Sequence, residues 1–378
     1  MKKIVLFLSV VLLIFSACGT NSNDEKYRTV LVYMVADNNL SSNAGGNIDQ
    51  MIKGAKSDDF LKYGNLVVYV DQAGTAKPLL LHIKQNDDGT IVKDTLEQYQ
   101  ELNSLDPLVV NDIILETVSR FNTKSYGLIL WSHGTAWLPQ GYQSMIRSFG
   151  VDKGQEMELP DLAKALPDGL FDFILFDACY MSSIEVAYAL RNKADYIVAS
   201  PTETIEWGFP YGNFMKLLFQ QNLNLQAVCQ MFYDYYANNP DVTGNLVSAA
   251  IALLDLSQID GLTAITREIL QGKEETIEEM PLENIQAMDY RSYQPRHLLY
   301  DFGDFIKHVA TEEQYDRFQT ELDKFVPFKL TTPTIYYASG VMPVEHFSGL
   351  SVYIPRKNFV QLNNWYQTNV NWYEAVFQ

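Results

Sequence analysis

Apolar residues in this chain gather into short unbroken runs, spaced by stretches in which they recur every three or four positions. The runs fall at 29–36 (Thr-Val-Leu-Val-Tyr-Met-Val-Ala), 66–70, 126–131, 173–176 and 196–200. Runs without polar alternation read as strands buried on both faces, as in a parallel sheet. The stretches between them read as helices. Ser41 or Ser42 can cap the first, with Ile48, Met51 and Ile52 on one face. Asp106-Pro107 opens another, which runs to about 121. Leu159-Pro160 opens a third, and Ser182-Ser183 precede a fourth that carries Ile184 and Leu190. Strand and helix in alternation predict an α/β fold, a mostly parallel sheet flanked by helices. Residues 79–84 and 90–94 flank Asn86-Asp87-Asp88-Gly89 and predict an antiparallel hairpin on that sheet. Residues 135–158 show no period and are long for a connector. A last strand of this part is expected at 246–253. From 257 the pattern is mainly helical, with strands expected at 334–338 and 350–354. A main domain over 29–255 and a mainly helical C-terminal subdomain over 256–378 follow from this change.

The first residues stand outside that pattern. Lys2 and Lys3 precede an apolar run at 4–15 and then Ser16-Ala17-Cys18. This is an export signal over 1–17, too short to remain as a spanning helix. Cys18 lies where cleavage would fall, and the segment resembles a bacterial lipoprotein box. Residues 18–28 then form a polar tether, and the protein is expected on the outer membrane or cell surface, held by lipid. Two cysteines remain. Cys229 lies in a helical pattern and reads as a packed core thiol, so no disulfide framework is expected. The formal charge of −18 argues against nucleic acid or an anionic membrane surface as partners.

Two strands end on reactive residues. The run from Phe173 ends on Asp177-Ala178-Cys179, and the run 126–131 ends on Ser132-His133-Gly134. Both ends face the carboxyl edge of the sheet, where open α/β folds bind ligands. The two motifs are 46 residues apart, room for one crossover connection. A Cys and a His brought together form a nucleophile and its base. The helix starting behind Cys179 predicts that the thiolate is favoured. Either residue alone would read as ordinary packing. His82, His297, His308 and His346 carry no comparable partner in the sequence and read as structural. No HExxH, CxxC pair, EF-hand ladder, Gly-x-Gly-x-x-Gly or Walker loop is present, so neither a metal nor a nucleotide cofactor is indicated. On residues alone, three functions stay open: a peptidase, a Cys/His acyltransferase or esterase, and a binding lipoprotein that performs no chemistry.

The paired motifs resemble the clostripain-like cysteine peptidases, within the clan of caspases, gingipains and legumains. The likeness includes the strand end Asp37-Asn38-Asn39-Leu40 and the Trp207-Gly208 loop, and spans roughly 29–211. It implies a caspase-like sheet and an endopeptidase that cuts proteins or peptides after Arg or Lys. It also implies self-cleavage between the two motif strands, with calcium implied by the likeness only. His133 matches the family's histidine and Cys179 its nucleophile. The backbone N–H groups of Gly134 and Cys179 would form the oxyanion site. A pocket for Arg or Lys needs a carboxylate. Asp177 is the first choice, with Glu203 and Glu206 on the next strand's loop behind it. Between His133 and the crossover helix the basic residues are Arg147 and Lys153. Arg147-Ser148 has the small, flexible neighbours a self-cleavage site needs.

Overall fold

The computed structural model describes residues 26–74, 77–139, 149–239, 247–289, 297–337 and 340–378. Its strands are β1 (Arg28–Ala36), β2 (Gly64–Gln72), β3 (Leu79–Gln85), β4 (Ile91–Gln98), β5 (Ser125–Trp131), β6 (Phe149–Asp152), β7 (Gln155–Met157), β8 (Phe171–Asp177), β9 (Ala194–Ala199), β10 (Ala250–Asp255), β11 (Leu299–Asp301), β12 (Phe328–Thr331), β13 (Thr334–Tyr337), β14 (Gly340–Pro343) and β15 (Ser351–Tyr353). Its helices are α1 (Ser41–Asp58), α2 (Pro107–Arg120), α3 (Leu159–Ala165), α4 (Ile184–Ala189), α5 (Tyr211–Leu218), α6 (Leu225–Asn238), α7 (Ile259–Leu270), α8 (Glu274–Glu279), α9 (Phe302–Val309), α10 (Glu312–Phe325), α11 (Val360–Asn369) and α12 (Asn371–Phe377).

One nine-stranded sheet organises these elements, in the order β12-β10-β9-β8-β5-β1-β2-β3-β4. From β9 to β2 the strands run parallel. The hairpin β3–β4 extends one end antiparallel, while β10 and β12 extend the other. The apolar runs explain the centre. Along β1, Val30, Val32 and Met34 join one core while Leu31, Tyr33 and Val35 join the other. A strand covered on both faces has no use for polar alternation. Each such side chain stabilises the fold by about 1.5–3 kcal/mol when fully buried. Cys229 is wholly buried in α6, in the core with Phe214 and Phe232.

Three local expectations are corrected. Neither Ser41 nor Ser42 caps α1. Leu40 holds the N-cap position, and the Asn38 side-chain oxygen takes the Leu40 N–H at 2.9 Å. The stretch without a period contains the hairpin β6–β7, whose strands are too short to show one. Its turn sits on Lys153 and Gly154, both at positive φ. The strand expected at 246–253 begins later, at Ala250. Beyond residue 255 the chain packs helices α7, α9, α10 and α12 against the first core and returns β12 to the sheet edge. Among the described residues no helix is long and apolar enough to cross a membrane.

Candidate active site

The register of the parallel strands sets the site. In the β5–β8 ladder Trp131 pairs with Asp177. Two residues further along each strand, the chain reaches His133 on one side and Cys179 on the other. Adjacent strands lie about 4.8 Å apart, so the two residues leave the sheet edge as neighbours. Gly134 makes the approach closer still. A Cβ placed on Gly134 would stand 2.6 Å from the Cys179 carbonyl oxygen and 3.1 Å from the Ala178 Cβ. Only a residue without a side chain lets the two loops touch there.

Cys179 sits on a tight turn. Tyr180 adopts positive φ, and its N–H donates to the Thr202 carbonyl at 2.9 Å. This turn holds the half-buried thiol against the loop that follows β9. The Thr204 N–H donates to Sγ at 3.3 Å, and the thiol reaches the Thr204 carbonyl at 3.8 Å. The thiolate expected from the helix behind Cys179 is not what the structure supports. Burial, and next the nearby Glu203 charge, push the thiol up to about 11. Residues 180–183 separate Cys179 from α4, whose first turn is capped by Ser183 at the Val186 N–H. Desolvation outweighs any help from that helix end.

His133 is half-buried, and its Nε2 lies 2.8 Å from the Asn39 side-chain oxygen. An amide oxygen only accepts, so in the neutral ring Nε2 carries the hydrogen and Nδ1 carries the lone pair. Asn39 was invisible as a partner in the sequence, although its strand end carried part of the family likeness. It lies 94 residues from His133, and only the β1–β5 pairing brings it beside the ring. The backbone N–H groups of Gly134 and Cys179 donate to no acceptor among the described residues. Donors of this kind beside a thiol are suited to receive a developing oxyanion.

A model of the clostripain family matches residues 32–377. The chain belongs to the clostripain family of cysteine proteases. Clostripain from Hathewaya histolytica is 27% identical over 224 residues, a match that spans 51% of this chain and 42% of that protein's length. The solved structure of an inactive zymogen C11 protease from Parabacteroides distasonis superposes with a TM-score of 0.84 at 38% identity. It covers 93% of this chain and 98% of its own. A secreted C11 cysteine protease from Bacteroides thetaiotaomicron, solved with an irreversible peptide inhibitor, has a TM-score of 0.80 at 32% identity, with the same coverage. These likenesses agree with a caspase-like, mostly parallel sheet flanked by helices.

The other residues singled out for clostripain-like chemistry divide. Asp177 is only 5% exposed, and one of its carboxylate oxygens accepts from the Tyr211 hydroxyl at 2.9 Å and the Phe209 N–H at 3.2 Å. Burial pushes its carboxyl up to about 6 against those two bonds. Gly208, at positive φ, packs so tightly that a Cβ there would fall 2.5 Å from the same oxygen. Asp177 thus braces the 201–211 loop as well as lying near Cys179. Glu203 is half-buried and close enough to shift the thiol. Glu206 is exposed, and its carbonyl anchors the loop to Asn43 of α1. Arg147, Ser148 and Cys18 lie outside the described residues. The strand after Ser148 is held at the site, because the Gly150 N–H donates to the His133 carbonyl at 2.9 Å. Lys153, the other basic residue of the segment, is tied down by its N–H to the Asp37 carbonyl and by ion pairs to Asp37 and Glu101. Among the described residues, no three Cys, His, Asp or Glu side chains gather as a metal site requires.

Proposed function

We propose that this protein is an exported, lipid-anchored cysteine endopeptidase that cuts after Arg or Lys and activates itself by cleavage at Arg147-Ser148. The observation that carries the peptidase reading is the register that brings His133 beside Cys179, with Gly134 against the Cys179 carbonyl. As the substrate carbonyl approaches, the Cys179 proton passes to His133 Nδ1 and sulfur bonds to the carbonyl carbon. The carbonyl oxygen takes the displaced electron pair and is held by the N–H groups of Gly134 and Cys179. His133 then gives its proton to the departing amine, and water cleaves the thioester with His133 as base. Because the resting thiol is held high, its proton leaves during attack rather than before it.

The carboxylates around Cys179 support the basic specificity. Glu203 and, more weakly, Asp177 act on Cys179, and each raises the energy of added negative charge there. A guanidinium or ammonium entering the cleft would offset both. A panel of fluorogenic peptides, varied at the residue before the scissile bond, tests the proposal. Turnover should be confined to Arg and Lys peptides. Glu203→Gln and Asp177→Asn should each lower kcat/KM for them by about 10- to 100-fold, the scale of one charge-assisted hydrogen bond. An equal loss on all peptides would reduce Asp177 to a brace for its loop. Ester turnover with every peptide left intact would favour the acyltransferase.

Self-activation is supported by the placement of β6, which begins one residue after the proposed cut and is pinned to the His133 carbonyl. A relative of the same fold is described as an inactive zymogen. Lipid anchoring rests on Cys18 and its flanking residues, and a relative is described as secreted. Cys18→Ser should shift the protein from the membrane to the soluble fraction and abolish labelling with radioactive palmitate. A variant that stays membrane-bound would refute the anchor.

A further inference from the structure

Six residues beyond Cys179, the first turn of α4 carries Glu185, which has no solvent exposure. A buried glutamate on the helix behind a nucleophile requires partners, since an uncompensated charge in the core is costly. Besides the neighbouring Ser183 side chain and its own backbone N–H, its partners come from the far end of the chain. Oε1 accepts the Tyr353 N–H of β15 at 2.8 Å and the Tyr366 hydroxyl of α11 at 3.2 Å. Oε2 is buried and has no hydrogen-bond partner in the structure.

The same two tyrosines hold the other loop. Trp137 lies four residues after His133 and is fully buried. Its ring centroid is 4.9 Å from that of Tyr353 and 4.5 Å from that of Tyr366, with Trp365 stacked at 5.9 Å. The turn preceding Trp137 includes Ala136 at positive φ, so the loop follows the placement of that ring. Next to Glu185, the Ser351 N–H donates to the Ser182 carbonyl at 2.9 Å, and the Ser182 hydroxyl donates to the Gly349 carbonyl at 2.7 Å. Tyr353 and Tyr366 are therefore shared, touching the His133 loop through Trp137 and the Cys179 loop through Glu185.

We propose that Glu185 is a positioning residue, which sets the placement of Cys179 relative to His133 by clamping β15 and α11 between the two loops. The inference rests on Cys179 and His133 being the reacting pair. The β5–β8 ladder fixes the strands but ends before both residues. Beyond it each loop needs another reference, and the C-terminal tyrosines are common to both. An ionised carboxylate makes the stronger bonds to an N–H and an O–H. The titratable groups that face it are Tyr353 and Tyr366, with Tyr373 of α12 behind Tyr366. Burial holds the Glu185 carboxyl up to about 7, so the clamp changes charge near neutrality. The sign follows from linkage. A carboxyl raised above its unfolded value stabilises the fold at low pH, and that contribution is lost as pH rises from about 4.5 through about 7.

The test compares wild type, Glu185→Ala, Glu185→Gln and Tyr366→Phe, as full chains, on an Arg peptide from pH 5 to 9. Glu185→Ala should lower kcat by 30-fold or more with KM within twofold of wild type. Glu185→Gln, which keeps an acceptor for Tyr353 and Tyr366, should restore kcat to within about fivefold and flatten the fall in Tm from pH 5 to 8. Tyr366→Phe keeps its ring on Trp137 and should lose kcat alone, by a few fold. A folded Glu185→Ala with wild-type kcat would overturn the proposal, as would Glu185→Gln performing no better than Ala. If Glu185→Ala does not fold, wild-type kcat in Tyr366→Phe together with an unaltered pH profile in Glu185→Gln would overturn it. Cys179→Ala separates the two levels: turnover that survives in it refutes the reacting pair itself, whatever the Glu185 variants do.

Discussion

Replacing Cys179 with alanine is expected to reduce turnover of Arg peptides by about ten-thousand-fold or more and to leave the chain uncut near residue 147. The size follows from the covalent step. Without a nucleophile only binding and the oxyanion donors remain, and such remnants supply a small share of a protease's rate. The fold should survive. The half-buried thiol contacts Thr204 at its edge, and its loss removes a weak acceptor for the Thr204 N–H, a longer contact to the Thr204 carbonyl and little volume. Asn39→Ala should cost less, about 10- to 100-fold in kcat, because it frees the ring and its tautomer but keeps the base. Self-cleavage is read on a gel. Wild type should divide into two fragments near residue 147, while Cys179→Ala and Arg147→Ala remain single chains. If purified Cys179→Ala is cut as fully as wild type, or if intact Arg147→Ala is fully active, activation at this bond is wrong.

Gly134→Ala is expected to lower kcat by about 100- to 1000-fold without unfolding the protein. Loss of one oxyanion donor has that scale in proteases. The added Cβ would meet the Cys179 carbonyl oxygen at 2.6 Å and the Met181 sulfur at 3.1 Å, so one of the two loops must move. Either movement takes the Gly134 N–H, the Cys179 N–H or the thiol out of line. Position 134 does not demand glycine for backbone reasons, since its φ is not positive. Close approach alone explains it, which makes the variant a clean test of geometry. Gly46→Ala is the matching control. It lies in α1, and a Cβ there meets nothing within 4 Å. It should leave kcat unchanged and stabilise slightly, as Gly to Ala does in a helix. A folded Gly134→Ala with kcat within threefold of wild type would remove Gly134 from the oxyanion site.

Much of this protein could be read from neighbouring residues. Unbroken apolar runs such as Val30 to Val35 announce strands covered on both faces, and polar breaks at Asp37, Ser132 and Asp177 announce where they stop. Because parallel strands all stop on one edge, the local pattern alone assigns His133 and Cys179 to that edge. These are short-range properties: run length, period and capping residues depend on a few consecutive positions. Tertiary structure decided what those residues touch. The register that sets Trp131 beside Asp177, the Asn39 oxygen on His133 and the Thr204 N–H on Cys179 each join separate segments. The thiol's raised pKa reversed the local expectation, because burial is summed over every element around it and the helix end contributes only at short range. Asp177 gained a bracing role from Tyr211, 34 residues away. Nothing in the residues beside Glu185 marks it, and its partners lie 168 and 181 residues further along the chain. A sequence reports the preferences of adjacent residues; contacts closed over so many residues depend on how the whole chain packs, and no local pattern encodes them.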